Sequence, residues 1–173
     1  AIITSVKTVN IDNPSLNCRI NGLEKRSPYI IILDKNLKIN LNSNVIKDSL
    51  KYKTIIFYHY KNEKKIKLLK KMRIKIYRIP LNINADLDLK MVLRRTKKIG
   101  FSRIFIESGK ILAVNFLKEN LVNDLNLFIS NNKLGKNGAG NIKKYLSILL
   151  KRKKYFNEKV NLFGEKLISY NIK

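Results

Sequence analysis

The residues best suited to hold an anion are Glu107-Ser108-Gly109-Lys110. Residues 103–106 before them are short, β-branched and aromatic, which predicts a strand. Glu107 falls at the carboxyl end of that strand, and Gly109 permits a sharp turn. Leu112, Phe116 and Leu117 then recur at helical spacing, so a helix begins directly after the glycine. Such a junction presents the unpaired N–H groups of the first helical turn and the positive end of the helix dipole, a setting for phosphate or carboxylate. A second group is Thr8, Asp12 and Arg19, in a predicted loop over residues 7–19 that leaves a strand end. Asp12-Asn13-Pro14 is a turn signal, because Asn before Pro is pushed out of the helical region. Two readings stand for this group: part of a ligand site, or an Asp12 that only closes its turn beside a solvated Arg19.

Other chemistry is poorly served. One cysteine, Cys18, and one histidine, His59, fall short of a zinc site and allow no internal disulfide. His59 at a strand end suits packing or exposure better than proton transfer. Asp86 and Asp88 resemble a carboxylate pair, but their place before an amphipathic run over residues 86–99 suits helix capping by Asp86 and dipole compensation by Asp88. No residue is assigned a catalytic role and no metal is expected.

The elements that must position these groups follow in order. Residues 1–6 predict a strand, and residues 21–27 a polar loop. Residues 29–33 form a near-continuous apolar run, as in a strand buried on both faces, ended by Asp34-Lys35-Asn36. Residues 53–60 predict a further strand, residues 61–72 a lysine-rich helix with Ile66, Leu69 and Met72 inward, and residues 74–79 a short strand. The helix over 86–99 is stopped by Gly100. Residues 124–130 return as a strand, with Leu125, Leu127 and Ile129 on one face. Residues 135–140 hold three glycines in a loop, and Ile142, Tyr145, Leu146, Leu149 and Leu150 mark a core-facing helix. Residues 158–163 and 165–172, separated by Gly164, predict a closing hairpin. Strand then helix, repeated, argues for a sheet with helices packed on its faces.

The length of 173 residues and an apolar fraction of 45% suit one domain with a substantial core. No apolar run approaches the roughly 18 residues of a membrane span, and a cytoplasmic location is expected. The chain opens without methionine on a β-prone run, so an upstream part is expected. The net charge of +25 sets up a field that attracts phosphorylated ligands and, non-specifically, nucleic acid. Joint over-use of Lys, Asn and Ile, as A- and T-rich coding would produce, offers a second source for it.

Three separated motifs in register carry a resemblance: the run from Thr8 through Asp12, Leu16 and Arg19; the apolar strand ending in Leu33-Asp34; and Glu107-Ser108-Gly109 through Asp124 to Leu134-Gly135. Together they resemble the reductase domain of the bifunctional riboflavin-biosynthesis deaminase/reductase over nearly the whole chain. The resemblance implies a dihydrofolate-reductase-like three-layer α/β fold with a mostly parallel central sheet. It also implies NADPH-dependent reduction of 5-amino-6-(5-phosphoribosylamino)uracil to the ribitylamino compound, and a homodimer. Carried over by position, Thr8, Asp12 and Gly109, Lys110, Ile111, Leu112, Ala113, Val114 and Asn115 would contact the cofactor. Leu16, Arg19 and Glu107 would contact the substrate. The family's first strand and helix would lie before Ala1 and its zinc deaminase domain earlier still, so this stretch is expected to be inactive alone.

Departures from the pattern fall at Lys110-Ile111, where the family places a threonine, and at Lys35, where a small hydroxyl residue often meets the cofactor. Two alternatives remain: another dihydrofolate-reductase-like pyrimidine or pterin reductase, and a basic nucleic-acid-binding module built on residues 61–75 and 143–154. The module would interleave aromatics with its cations on one face, whereas Tyr145 falls on an apolar stripe.

Overall fold

The computed structural model describes residues 1–132, 143–151, 153–158 and 164–173. They form two compact units, residues 1–113 and 114–173.

The first unit is a parallel sheet of β1 (Ile2–Ser5), β2 (Ile30–Leu33), β3 (Thr54–Tyr58), β4 (Lys75–Arg78) and β5 (Phe105–Ile106). Their order is β4-β3-β2-β1-β5. Every residue of β2 and β3 is buried, which is why these strands read as unbroken apolar runs rather than alternations. Register aligns Ser5 with Leu33, Leu33 with Phe57 and Phe57 with Tyr77, so four strands end level at one edge of the sheet. One face buries Ile30, Ile32 and Ile56 against Val9, Val45, Ile46, Ile66 and Leu69. Those partners come from α1 (Val6–Asp12), α2 (Asn44–Lys47) and α3 (Glu63–Lys71). The other face carries Phe57 and Tyr77 in edge contact, with Arg95 of α4 (Leu89–Lys98) lying over the Tyr77 ring.

Three expectations change. Residues 6–12 are helix rather than loop, which puts Thr8 and Asp12 on α1. The β-branched Val6, Thr8, Val9 and Ile11 masked it, but the Ser5 hydroxyl accepts from Thr8 N at 3.1 Å and caps the first turn. Asp88, not Asp86, caps α4, accepting from Met91 N at 3.0 Å, and Asp86 instead pairs with Lys35 at 3.3 Å. Gly109 does not adopt a positive φ, so the turn there does not need a glycine backbone. Gly100, at φ +108, does end its helix as expected.

The helix α5 (Lys110–Lys118) follows β5 and buries Phe116 and Leu117. In the second unit β6 (Asp124–Ile129), β8 (Lys166–Asn171) and β7 (Tyr155–Asn157) form an antiparallel sheet with β8 central. The partner strand in the predicted closing hairpin thus begins at Tyr155, earlier than its sequence pattern indicated, and Tyr155 sits opposite Tyr170 with ring centroids 5.7 Å apart. Helix α6 spans Lys143–Leu150, with Tyr145, Leu146, Leu149 and Leu150 half-buried as their spacing predicted. The expectations on residues 133–142 and 159–163 lie outside the described residues.

Asp34 organises the loop after β2. Its fully buried carboxylate accepts from Lys38 N and Ile39 N, both at 2.8 Å, and Lys65 Nζ donates to the Ile39 carbonyl. Burial raises its pKa, and the Lys38 and Ile39 amides, with Lys65, oppose the rise without cancelling it. A carboxyl whose folded pKa is raised contributes stability fully present below its unfolded pKa and lost as pH rises through the folded value. An asparagine has one acceptor for two amides, and a buried orphan costs about 1–3 kcal/mol. Asp34→Asn is therefore expected to lose that much in urea unfolding at acid pH, with the gap narrowing as pH rises through the raised folded value. A gap that widens with pH would contradict this account.

Candidate active site at the β1–β5 crossover

Chain direction across the first sheet reverses at β1. From β1 the chain runs outward through β2 and β3 to β4, then returns to place β5 on the other side of β1. In open parallel sheets, ligands bind beyond the strand carboxyl ends at such a reversal, because the two outgoing segments diverge and leave a crevice. Here those segments are β1 into α1 and β5 into residues 107–110.

One side chain bridges them. The Thr8 hydroxyl lies 3.0 Å from the Ser5 hydroxyl and accepts from Gly109 N at 3.4 Å, so the hydroxyl that caps α1 is hydrogen-bonded to the hydroxyl that places the glycine turn. Glu107 N donates to the Ile3 carbonyl at 3.0 Å, which extends the β5 pairing one residue and leaves the Glu107 carboxylate exposed at the crevice edge. Asp12 lies one helical turn beyond Thr8 on the same face of α1. Its carboxylate is exposed and without a hydrogen bond or ion pair among the described residues. A β-carbon built on Gly109 would meet nothing within 4 Å. The amides of Lys110, Ile111 and Leu112 have no partner among the described residues, and the first α5 bond runs from Ala113 N to the Gly109 carbonyl at 3.3 Å. This is the free amino-terminal turn that the sequence predicted.

The remaining expected residues are placed differently. Leu16 is only 8% exposed and belongs to the core cluster, with a left-handed φ of 51° that a leucine adopts only under constraint. Arg19, three residues on, is exposed. Val114 and Asn115 are half-buried in the second turn of α5. Lys35 sits beyond the end of β2, and its ammonium is held by the Ala85 carbonyl at 2.8 Å and by Asp86. His59 takes the structural role, with Nδ1 donating to the Ile79 carbonyl at 2.9 Å. Sequence reasoning missed Ser5, Asn10 and Asp34 as positioning groups. Asn10 donates to the Lys38 carbonyl and accepts from Asn40 N, both at 3.0 Å, joining α1 to the loop that Asp34 shapes. The spacing Ser5-x-x-Thr8 was the one available signal.

The family with this arrangement is the RibD C-terminal domain, whose model matches residues 1–157. The riboflavin biosynthesis protein RibD of Aquifex aeolicus (strain VF5) is 30% identical over 173 residues, covering 98% of this chain and 45% of that protein. RibD of Actinobacillus pleuropneumoniae is 24% identical over 135 residues, covering 78% of this chain and 35% of that protein. The chain thus spans less than half the length of these curated relatives. Among solved structures, Acinetobacter baumannii RibD superposes with a TM-score of 0.72 at 18% identity over 98% of this chain and 46% of its own. The riboflavin biosynthesis reductase of Saccharomyces cerevisiae gives 0.59 at 14% identity over 98% and 86%. This chain belongs to the RibD C-terminal domain family, and the expected dihydrofolate-reductase-like α/β fold stands.

Two substitutions separate the roles of the paired hydroxyls. Ser5→Ala is expected to cost about 1 kcal/mol of stability through loss of the cap. Thr8→Val keeps that cap but removes the acceptor for Gly109 N. Its expected signature is faster hydrogen exchange at the Gly109 amide, by about two- to tenfold for a bond of about 0.5–1.5 kcal/mol. Unchanged exchange at Gly109 would mean that Thr8 does not hold the turn.

Proposed function

We propose that residues 1–173 act as the reductase domain of riboflavin biosynthesis, using NADPH to reduce 5-amino-6-(5-phosphoribosylamino)uracil to 5-amino-6-(5-phosphoribitylamino)uracil. The observation that carries this reading is the crevice at the β1–β5 reversal. There the Thr8 hydroxyl fixes the Gly109 amide, and a free helix start lies beside open space.

The residues present fit a dinucleotide phosphate. The Gly109 position leaves room for a close backbone approach, the amides of residues 110–112 have no partner among the described residues, and Lys110 adds a cation at the same turn. Thr8, Asp12 and residues 109–115 would hold the cofactor, with the exposed Asp12 carboxylate free to accept from a ribose hydroxyl. When bound, the nicotinamide would supply the hydride to C1 of the open imine form of the sugar, the imine nitrogen taking its proton from solvent. The work of the chain is then positioning and electrostatics. Glu107 accepts hydrogen bonds from the substrate at the end of β5. Arg19 offers a planar fork of donors to its phosphate or pyrimidine, and Leu16 shapes the wall from within the core. No side chain is assigned a proton-transfer step. The family's riboflavin context and its nicotinamide chemistry support a pyrimidine substrate, and a cytoplasmic homodimer is the form proposed.

The test is NADPH binding followed by cofactor fluorescence, with NADH and a short single-stranded oligonucleotide as controls. Saturable NADPH binding, weaker for NADH, is expected. Gly109→Asp should weaken it at least tenfold with unfolding unchanged, because the added side chain enters open space but repels phosphate. Asp12→Ala should weaken it by a smaller factor. A folded protein that does not bind NADPH would overturn the reading, and salt-sensitive oligonucleotide binding in its place would point to the basic binding module.

A further inference from the structure

A second cluster of cations lies at the opposite edge of the same sheet. Arg78, Arg94, Arg95 and Lys98 line a cleft of about 370 Å³ between the end of β4 and α4, floored by Ile79, Pro80 and Met91. No carboxylate lines it. The nearest acids in sequence are engaged elsewhere, Asp86 by Lys35 and Asp88 by the first turn of α4. The Lys35–Asp86 contact is the single ion pair among the described residues, so all four cations here are without a counter-charge.

Two guanidinium groups are held in place by neutral contacts. Arg95 lies 4.2 Å above the Tyr77 ring, a cation–π arrangement, and Tyr77 is itself braced by the edge of Phe57. The Arg95 Nε is buried and has no hydrogen-bond partner, a costly state for a charged donor group. Arg78 donates Nε to the His59 carbonyl at 3.0 Å, which orients its fork. The dipole of α4 accounts for cations in its last turn. It does not account for Arg78, which is on a strand, nor for the orphan donor of Arg95.

Fixed, unneutralised guanidinium groups around a cleft of small-molecule size are what recognition of phosphate oxygens requires. We propose that this cleft is a binding site for a phosphate-bearing small molecule, separate from the crevice at β1 and β5. Three strand spacings of about 4.8 Å put β4 about 14 Å from β1. The site therefore stands whether or not the crevice binds a dinucleotide. Two arginines can take a phosphate bidentately, and a cleft of this size suits one phosphorylated group better than a run of backbone.

With a net charge of +25, diffuse attraction is the competing explanation, and the experiment separates the two. Inorganic pyrophosphate is titrated calorimetrically into the whole chain at fixed ionic strength. Saturable binding is expected, with one equivalent weakened at least tenfold by Arg94→Gln combined with Arg95→Gln. The charge-matched pair Lys64→Gln and Lys67→Gln, on the exposed face of α3, should change it less than twofold. Because Arg95 packs on Tyr77, Arg78→Gln alone serves as a second variant that leaves that stack intact, and it should weaken binding at least threefold. NADPH titrated into the same variants should bind as to the unaltered protein. Non-saturable binding, equal weakening by the α3 pair, or binding only of a single-stranded oligonucleotide would overturn the proposal. Parallel loss of NADPH affinity in the arginine variants would overturn its separateness and make the cleft part of the cofactor site.

Discussion

β1 is hydrogen-bonded on both sides, to β2 and to β5, with all three strands parallel. The crevice beside Thr8 and Gly109 depends on that pairing. A parallel strand needs a crossover to reach its neighbour; the crossover from β1 runs to β2 on one side, and the one from β4 places β5 on the other. The segments that depart from the ends of β1 and β5 therefore separate just beyond the sheet. Thr8 stands on one segment and Glu107, Gly109 and Lys110 on the other, about a hundred residues apart in the chain and one hydrogen bond apart in space.

The polar seams near this crevice rest on short side chains. Asn10 joins α1 to residues 38–40, Asn13 accepts two hydrogen bonds from Asn44, and Asp34 holds two amides from within the core. Each satisfies backbone groups that would otherwise be buried or frayed at the ends of short elements. A chain rich in asparagine can build such seams cheaply, since a short amide loses little rotamer freedom on ordering. The outcome is that α1, only seven residues long, is fixed on both its flanks.

Charge is distributed differently. Thirty-seven Lys and Arg against twelve Asp and Glu leave most cations without partners, and α3 shows the plain case of lysines on a solvated face. The cleft between β4 and α4 differs in kind because its arginines are held by an aromatic ring and a carbonyl. That distinction cannot be read from the net charge, which weights every lysine equally. It comes from β4 being the edge strand of its sheet among the described residues.

The sequence by itself determined the class of fold and the strand-glycine-helix turn. Apolar runs such as Ile30–Leu33 can be stable only between two layers, and a strand-glycine-helix junction leaves free amides wherever it occurs. It also carried the family resemblance, through the residue types and order of the run from Thr8 to Arg19 and of Glu107-Ser108-Gly109. The helix α1 was hidden, since β-branched residues argue locally for extended chain, and only burial of Val9 against β2 and the Ser5 cap reverse that preference. Tertiary structure alone decided that Thr8 meets Gly109, that Leu16 belongs to the core while Arg19 faces solvent, and that Lys35 is occupied by Asp86. Local pattern records the periods of helices and strands. Which ends meet is set by strand order, and that follows from packing of the whole sheet.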